Sequence, residues 1–454
     1  MKITLIKPTI GTKNHSLYVD EGRMEPLQLG VITALIPPDI DVVLYDDRME
    51  PIPYDETTDA VMLTVETFTA KRAYEIAEEY ISRKIPVIMG GMHVRLAADE
   101  VMEHCDCAVS GDAENIIPQI IEDLKNGTLR KLYECGIADP PQSGCPTRRD
   151  IFKGKGYLPI SLMQFSRGCV HGCRYCAGSV YFDKNHYCRI VQEVVDEIKA
   201  QNRKLIFFTD DNIVANTEKA KALFRALIPL KINWVSQGTV NMVYDDKLME
   251  LIVKSGGMGF VIGFESINPD SIDLMNKSVN KEKGFDQYKE EVKILRKWGL
   301  QTWAAFTVGH DTDTVESIKQ TVAWALKNKF TFAAFNLLMP YPKTPLYEQL
   351  HSEGRLLYDG KWWLHNEYRF NHASFIPKNM TAQELTEISF YCRKKFNSPL
   401  SILYRMFEPR TNMRTLKKFI IYWLYNPLFR REVHKKQGLK FGLKHYIAKS
   451  GENV

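Results

Sequence analysis

Along the first 130 residues the spacing of apolar positions switches repeatedly between strand-like and helix-like periods. Lys2–Lys7 is an apolar run of strand length, and Pro26–Leu35 reads as a helix. Val42–Tyr45 reads as a strand ending in Asp46 and Asp47, and Ala60–Val65 as another. Ala73, Ile76, Ala77, Tyr80 and Ile81 recur at helical spacing. Pro86–Met89 is a strand ending in Gly90 and Gly91, Cys107–Ser110 a strand ending in Gly111, and Ile116–Leu124 a helix. Strands alternating with helices predict a parallel, doubly wound sheet, in which ligands bind beyond the carboxyl ends of the strands. The residues at those ends are Thr64, Glu66, Thr67, Gly90, Gly91, His93, Gly111 and Glu114.

Residues 131–158 are rich in Gly, Pro and Cys without periodicity and read as a linker. Residues 159–350 hold six strand-then-helix units, with strands near Ile160–Gln164, Leu205–Thr209, Asn233–Ser236, Gly259–Phe264, Thr302–Val308 and Phe332–Leu337. Six units fall short of a closed eight-stranded barrel and predict a partial barrel open on one side. From 351 to 454 the rhythm is lost: Trp362, Trp363, Tyr368, Phe370 and Phe375 come first, then helices from Thr381 onward. Trp362 and Trp363 are candidates to line a substrate space. A chain of 454 residues is too long for one ordinary core, which fits this division.

The start, MKITLIKPTIG, has neither an apolar h-region nor a small-residue cleavage site. The greasiest stretch, Phe419–Leu428, is interrupted by Asn426 and Pro427, so no membrane span is predicted. The expected location is the cytoplasm, where thiols stay reduced. A net charge of +5 is small for this length and argues against wholesale nucleic-acid binding.

Nine cysteines must then be read by spacing. Cys135, Cys145, Cys188 and Cys392 are scattered, and Cys105 and Cys107 share one strand. Only Cys169, Cys173 and Cys176 cluster, directly after the first strand of the barrel region, at the end where barrel chemistry is usually placed. Three thiolates on one short loop can converge on an iron–sulfur cube and leave one of its four irons open. The alternative is a zinc knuckle or buried thiols. Zinc sites usually pair two ligand hairpins, no second CxxC is present, and His171 sits inside the same tight loop.

Cys-x3-Cys-x2-Cys with Tyr175 before its last cysteine resembles the radical S-adenosylmethionine (SAM) superfamily. Thr209-Asp210-Asp211-Asn212 is similar to the acidic turn of one branch, and Gly256–Ser266 to its glycine-rich strand ending in GFES. Val308-Gly309 with Asp311 and Thr312 resembles its fifth-strand turn. Met339–Tyr347 resembles its PyPgTPLY segment, and Gly354-Arg355-Leu356 follows in order. The resemblance implies a [4Fe–4S] cluster on the three cysteines. SAM would be cleaved reductively there to a 5′-deoxyadenosyl radical that takes hydrogen from an unactivated carbon. It also implies an electron donor such as flavodoxin or ferredoxin. By the same resemblance Asp210, Asp211 and Asn212 would meet the methionyl amine of SAM, Ser236 and Gln237 its carboxylate or ribose, and Glu265 the ribose hydroxyls, with Tyr175 a further SAM-binding candidate. The bland reading of each is a strand-end cap.

The first 130 residues resemble the cobalamin-binding domain of that branch, the class B-type methyltransferases, at Thr64–Thr67, Gly90–Val94 and Ser110–Glu114. The implied fold is α/β: a Rossmann-like cobalamin-binding-type domain, a partial (βα)6 radical SAM barrel, and a mainly helical C-terminal region. The Asp-x-His-x-x-Gly pattern that would supply a histidine to cobalt is missing. The implied reaction is cobalamin-dependent C-methyl transfer to a small or lipid-like metabolite. The alternatives are a radical SAM cyclase, mutase or C–C coupling enzyme that does not use methylcobalamin, and a non-catalytic iron–sulfur sensor. A methylthiotransferase would need three more N-terminal cysteines and a C-terminal RNA-binding barrel. Basic and aromatic residues mix after residue 403, which suits either an interfacial helix on an anionic membrane or packing over the barrel's open side. The packing reading is the one adopted, with peripheral membrane contact as its rival.

Overall fold

The structure is a computed structural model that describes residues 1–13, 16–17, 23–136, 147–277 and 285–444; Cys145 and residues 137–146 of the predicted linker lie outside them. The N-terminal sheet comprises β1 (Lys2–Lys7), β2 (Asp41–Asp46), β3 (Ala60–Thr64), β4 (Val87–Gly90), β5 (Cys107–Ser110) and β6 (Leu132–Glu134), in the order β2-β1-β3-β4-β5-β6. Every pairing is parallel. β1 and β3 are buried almost throughout, as parallel strands covered by helices on both faces must be. The stretch read as a linker therefore opens with a sixth strand, too short to show any period. The strand order reverses around β1, so the carboxyl ends of β1 and β3 flank the topological switch point where such sheets take ligands.

The second sheet comprises β7 (Ser161–Met163), β8 (Leu205–Phe208), β9 (Asn233–Gly238), β10 (Gly257–Glu265), β11 (Gln301–Val308) and β12 (Phe332–Leu337), parallel and in simple sequence order. β7 and β12 stay at the two edges, which makes it the predicted open barrel. Side chains alternate across each strand. Trp234 of β9 stacks on Phe224 of the Thr217–Leu227 helix, and Phe264 of β10 packs on Tyr288 and Trp324. Those positions face the helices, so Val235, Gln237, Val261, Gly263 and Glu265 face the lumen.

The C-terminal helices are Ala382–Phe396, Pro399–Met406 and Leu416–Lys436. Phe429 packs against both Trp303 of β11 and Phe332 of β12. After the helices, Lys440–Phe441 pairs antiparallel with Gly11–Lys13, tying the chain's end to the N-terminal domain. Trp362 and Trp363 do not line a substrate space. Both are fully buried in a core shared with β3, β4 and the Ala70–Ser82 helix. Each indole N–H is taken: Trp362 donates to the Pro340 carbonyl at 3.0 Å and Trp363 to Glu100 at 2.8 Å. Their position is a matter of which surfaces meet, and sequence periodicity carries no sign of it.

Candidate active site

The cysteine loop leaves β7 through Ser166–Gly168, a strand that pairs with His186–Cys188. Asp210, at the end of β8, accepts hydrogen bonds from the Phe165 amide at 3.2 Å and from the amide and hydroxyl of Ser166. Asp211 accepts from the Gly168 amide at 3.0 Å. The acidic turn thus shapes the approach to Cys169. Asp210 is fully buried with both oxygens committed, so it anchors the loop and leaves nothing for a ligand. Asp211 stays exposed, and the buried Asn212 Oδ1 has no hydrogen-bond partner among the described residues. An orphaned acceptor beside the cysteine loop fits an ammonium group.

Downstream, the Arg174 amide donates to the Met275 carbonyl at 3.1 Å and the Leu346 amide to the Arg174 carbonyl at 3.0 Å. The loop is therefore braced from both the GFES and the PyPgTPLY sides. Among the described residues no three His, Cys, Asp or Glu side chains form a cage for a single ion. A cube needs something different, since each thiolate binds its own iron and the three stand further apart. Burial pushes the Cys173 thiol up to about 12 and raises Cys169, while Lys277 opposes both shifts.

Lys277 belongs to a network that sequence reading missed. Its ammonium donates to Glu265 Oε1 at 2.7 Å and to the Gly263 carbonyl at 2.8 Å. Glu265 Oε2 accepts from Thr307 at 2.6 Å, and the Tyr175 hydroxyl also bonds this carboxylate. Burial works to raise the Glu265 carboxyl, but Lys277 beside it outweighs that and holds it below its ordinary value. The register slips between Gly263 and Glu265, and Glu265 holds φ +65°, uncommon outside glycine. The bulge turns its carboxylate into the barrel mouth. Gly263 must lack a Cβ, which would lie 2.2 Å from Glu265 Oε1 and 2.5 Å from Lys277 Nζ. Lys277 sits 12 residues past Glu265 and outside any motif, so only the fold reveals it.

Of the remaining SAM candidates, Gln237 faces the lumen. Ser236 is on the opposite face of β9, buried, and donates to the Phe208 carbonyl at 2.9 Å. It is a strand-to-strand tie, and its placement follows from strand alternation.

The N-terminal candidates divide in the same way. His93 is buried with Nδ1 3.2 Å from Thr67 Oγ1 and Nε2 3.3 Å from Glu100. Both ring nitrogens and the Thr67 hydroxyl are committed within the protein, so neither residue faces a ligand. Cβ atoms on Gly91 and Gly111 would strike the Val65 and Cys135 carbonyls at 2.7 and 2.5 Å; these glycines are needed by neighbouring backbone. Gly90 is open by comparison, its nearest neighbour being Val109 at 3.8 Å. Thr64 is buried at the end of β3. Glu66, half-exposed at the switch point, pairs with Lys7 at 2.5 Å.

Glu114 and its neighbour Asp112 serve a contact between domains. Arg167, two residues before Cys169, places one guanidinium nitrogen 2.8 Å from Asp112 and another on Glu114. Tyr181 and Tyr187 donate to Asp112 at 3.1 and 2.5 Å. The edge of the N-terminal sheet is thereby clamped to the cysteine hairpin. Tyr341 lies between the two units: burial raises its hydroxyl's pKa, and the nearby Cys176 and Glu66 raise it further.

The family model of the radical SAM superfamily matches residues 163–325. Residues 163–325 are thus a radical SAM domain. The radical SAM domain implies a [4Fe–4S] cluster and SAM, and the loop that carries Cys169, Cys173 and Cys176 lies within the matched residues. The chain is similar to bacteriochlorophyllide d C-12(1)-methyltransferase of Chlorobaculum tepidum, 27% identical over 418 residues and 89% of each chain. It is also similar to bacteriochlorophyllide d C-8(2)-methyltransferase of the same organism, 26% identical over 433 residues and 90% of each chain. The solved structure of the radical SAM methyltransferase TsrM from Kitasatospora setae, with cobalamin and a [4Fe–4S] cluster bound, superposes with a TM-score of 0.61. It shares 16% identity over 78% of each chain and supports the fold. No helix among the described residues is long and apolar enough to cross a membrane.

Proposed function

We propose that this radical SAM enzyme is a cobalamin-dependent C-methyltransferase acting on a small or lipid-like metabolite. The observation that carries the reading is the clamp of Arg167 on Asp112 and Glu114. It ties the segment after β5, at the carboxyl ends of the N-terminal sheet, to the hairpin that carries the cysteine loop, which supports a reaction space shared by the two units. The near full-length likeness to two methyltransferases supports the outcome of that reaction.

Cys169, Cys173 and Cys176 are the residues for the cluster, and Asp211, Asn212, Gln237 and Glu265 those for SAM. When bound, the cluster supplies the electron that cleaves SAM, and cobalamin supplies the methyl group. The chain's own part is to place and enclose. Asn212 offers a bare acceptor to an amine. Glu265, ionised by Lys277, already accepts a hydrogen bond at each oxygen and offers a hydroxyl only the lone pairs left over. At the switch point Glu66, Lys7 and Gly90 border the edge that would take the corrin. His93, bonded to Thr67 and Glu100 through its two ring nitrogens, is not available at that edge.

Anaerobic reconstitution with iron and sulfide, then SAM and dithionite, should yield 5′-deoxyadenosine, and Cys176→Ala should yield none. After loading with hydroxocobalamin the purified chain should show corrin absorption. A chain that makes 5′-deoxyadenosine but retains no corrin would exclude methyl transfer in favour of a cyclase or mutase.

A further inference from the structure

The Pro399–Met406 and Leu416–Lys436 helices bury polar side chains and expose apolar ones. Arg405 is fully enclosed. It donates to the Phe330 and Thr331 carbonyls at 2.9 and 2.8 Å, to the Phe396 carbonyl at 3.1 Å and to Asn426 Oδ1 at 3.0 Å. Tyr422 donates to the Ile402 carbonyl at 2.5 Å. These bonds fix the rotation of both helices against the barrel.

The outward faces follow from that rotation. Leu400, Leu403, Tyr404 and Phe407 stand at i, i+3, i+4 and i+7, one helical stripe, and all are exposed, Leu400 at 82% and Phe407 at 57%. Leu416, Ile420, Trp423 and Leu424 form a second stripe, with Leu416 at 75% and Leu424 at 63%. An amphipathic helix packed on a soluble core turns such a stripe inward. The aromatics thus divide in two: Phe429 packs on the barrel as the sequence reading expected, but these eight residues do not.

Charge names the occupant. Residues 393–436 hold twelve Lys and Arg against two Glu and no Asp, a local excess of +10 on a chain whose total is +5. Arg410 and Arg414, which lie between the stripes in sequence, line a depression with Lys293, Arg296 and Lys297. Glu408, paired with Arg296 at 3.5 Å, and Glu290, paired with Lys293 at 2.6 Å, are acids beside it, fewer than the five basic side chains. A basic rim around apolar side chains complements an anionic bilayer, whose phosphates meet the rim while the stripes enter the acyl boundary.

We infer that this face docks the enzyme in the plane of an anionic lipid bilayer. The contact is interfacial, since neither helix can span.

The test is co-sedimentation of the full chain with vesicles of phosphatidylglycerol and phosphatidylcholine or of phosphatidylcholine alone. Binding should favour the anionic vesicles by at least about tenfold and weaken as salt rises. Leu403→Glu/Phe407→Glu/Ile420→Glu/Leu424→Glu should lose at least about tenfold in binding with unchanged circular dichroism. Arg410→Gln/Arg414→Gln should lose the preference for anionic lipid, which keeps the test open if the first variant misfolds. Anionic vesicles should also blue-shift tryptophan fluorescence, and Trp423→Phe should remove that shift. Equal binding to both vesicles, or none at low salt, overturns the inference. So does a dimer that the four-residue variant dissociates while vesicles bind neither form, because the occupant is then a second copy of the chain.

Discussion

Replacing Arg167 by Met removes the guanidinium from between Asp112 and Glu114 and leaves a hydrocarbon of similar length. The three side chains are 15%, 14% and 9% exposed. Exposed pairs contribute about 0–1 kcal/mol, whereas taking one partner from a buried pair costs about 3–5 kcal/mol. At this burial the lower end applies, about 3 kcal/mol, and Tyr181 and Tyr187 soften the loss only at Asp112. A transition of 150–250 residues moves by about 2–4 °C per kcal/mol, so the one carrying the N-terminal sheet should fall by roughly 6–12 °C. Differential scanning calorimetry of the full chain reads this directly. Adding Asp112→Asn and Glu114→Gln removes the stranded charges and should restore most of the loss, since neutral replacement of a buried pair is often tolerated. A single variant within about 1 °C of wild type, or a triple variant no better than the single, would refute the clamp.

Gly263→Ala forces a methyl between Glu265 and Lys277 and should cost about 1–3 kcal/mol while weakening SAM binding, measurable by calorimetric titration of the reconstituted enzyme. Cys173→Ser should lower bound iron and abolish the charge-transfer absorption of a reconstituted cluster while leaving the far-ultraviolet spectrum unchanged. Glu100 accepts from Tyr74 and Trp363 and pairs with Lys361. Burial acts to raise its carboxyl, but His93, Trp363 and Lys361 outweigh it and hold it at about 2. A depressed carboxyl stabilises above its unfolded value and loses that contribution as pH falls from about 4.5 towards 2, here about 3 kcal/mol. Urea midpoints of wild type should fall more steeply over that window than those of Glu100→Gln; parallel curves would show that Glu100 is not the titrating group.

Much of the fold can be read along the chain because its information is local. The strands near 160, 205, 233, 259, 302 and 332 stand where apolar runs and turn residues place them. β6 escaped because three residues show no period. At the candidate site, Cys169, Cys173 and Cys176 stand out by their spacing and Glu265 by its motif. The sequence could not separate Gln237 from Ser236, because strand alternation assigns faces only after one face is known to be the lumen.

What the chain determined by itself was composition, period and spacing: two parallel α/β units, a helical tail and a three-cysteine loop. Only the tertiary structure decided which charges meet. It set Lys277 on Glu265, Arg167 on residues 55 and 53 positions earlier, and His93 inside the protein instead of at the ligand edge. It also turned Arg405 inward and Leu400 outward, so that a composition compatible with packing or with a membrane became an exposed surface. The reason is physical. Period and spacing arise from neighbours in sequence, whereas the partner and exposure of a side chain depend on which distant backbone folds against it.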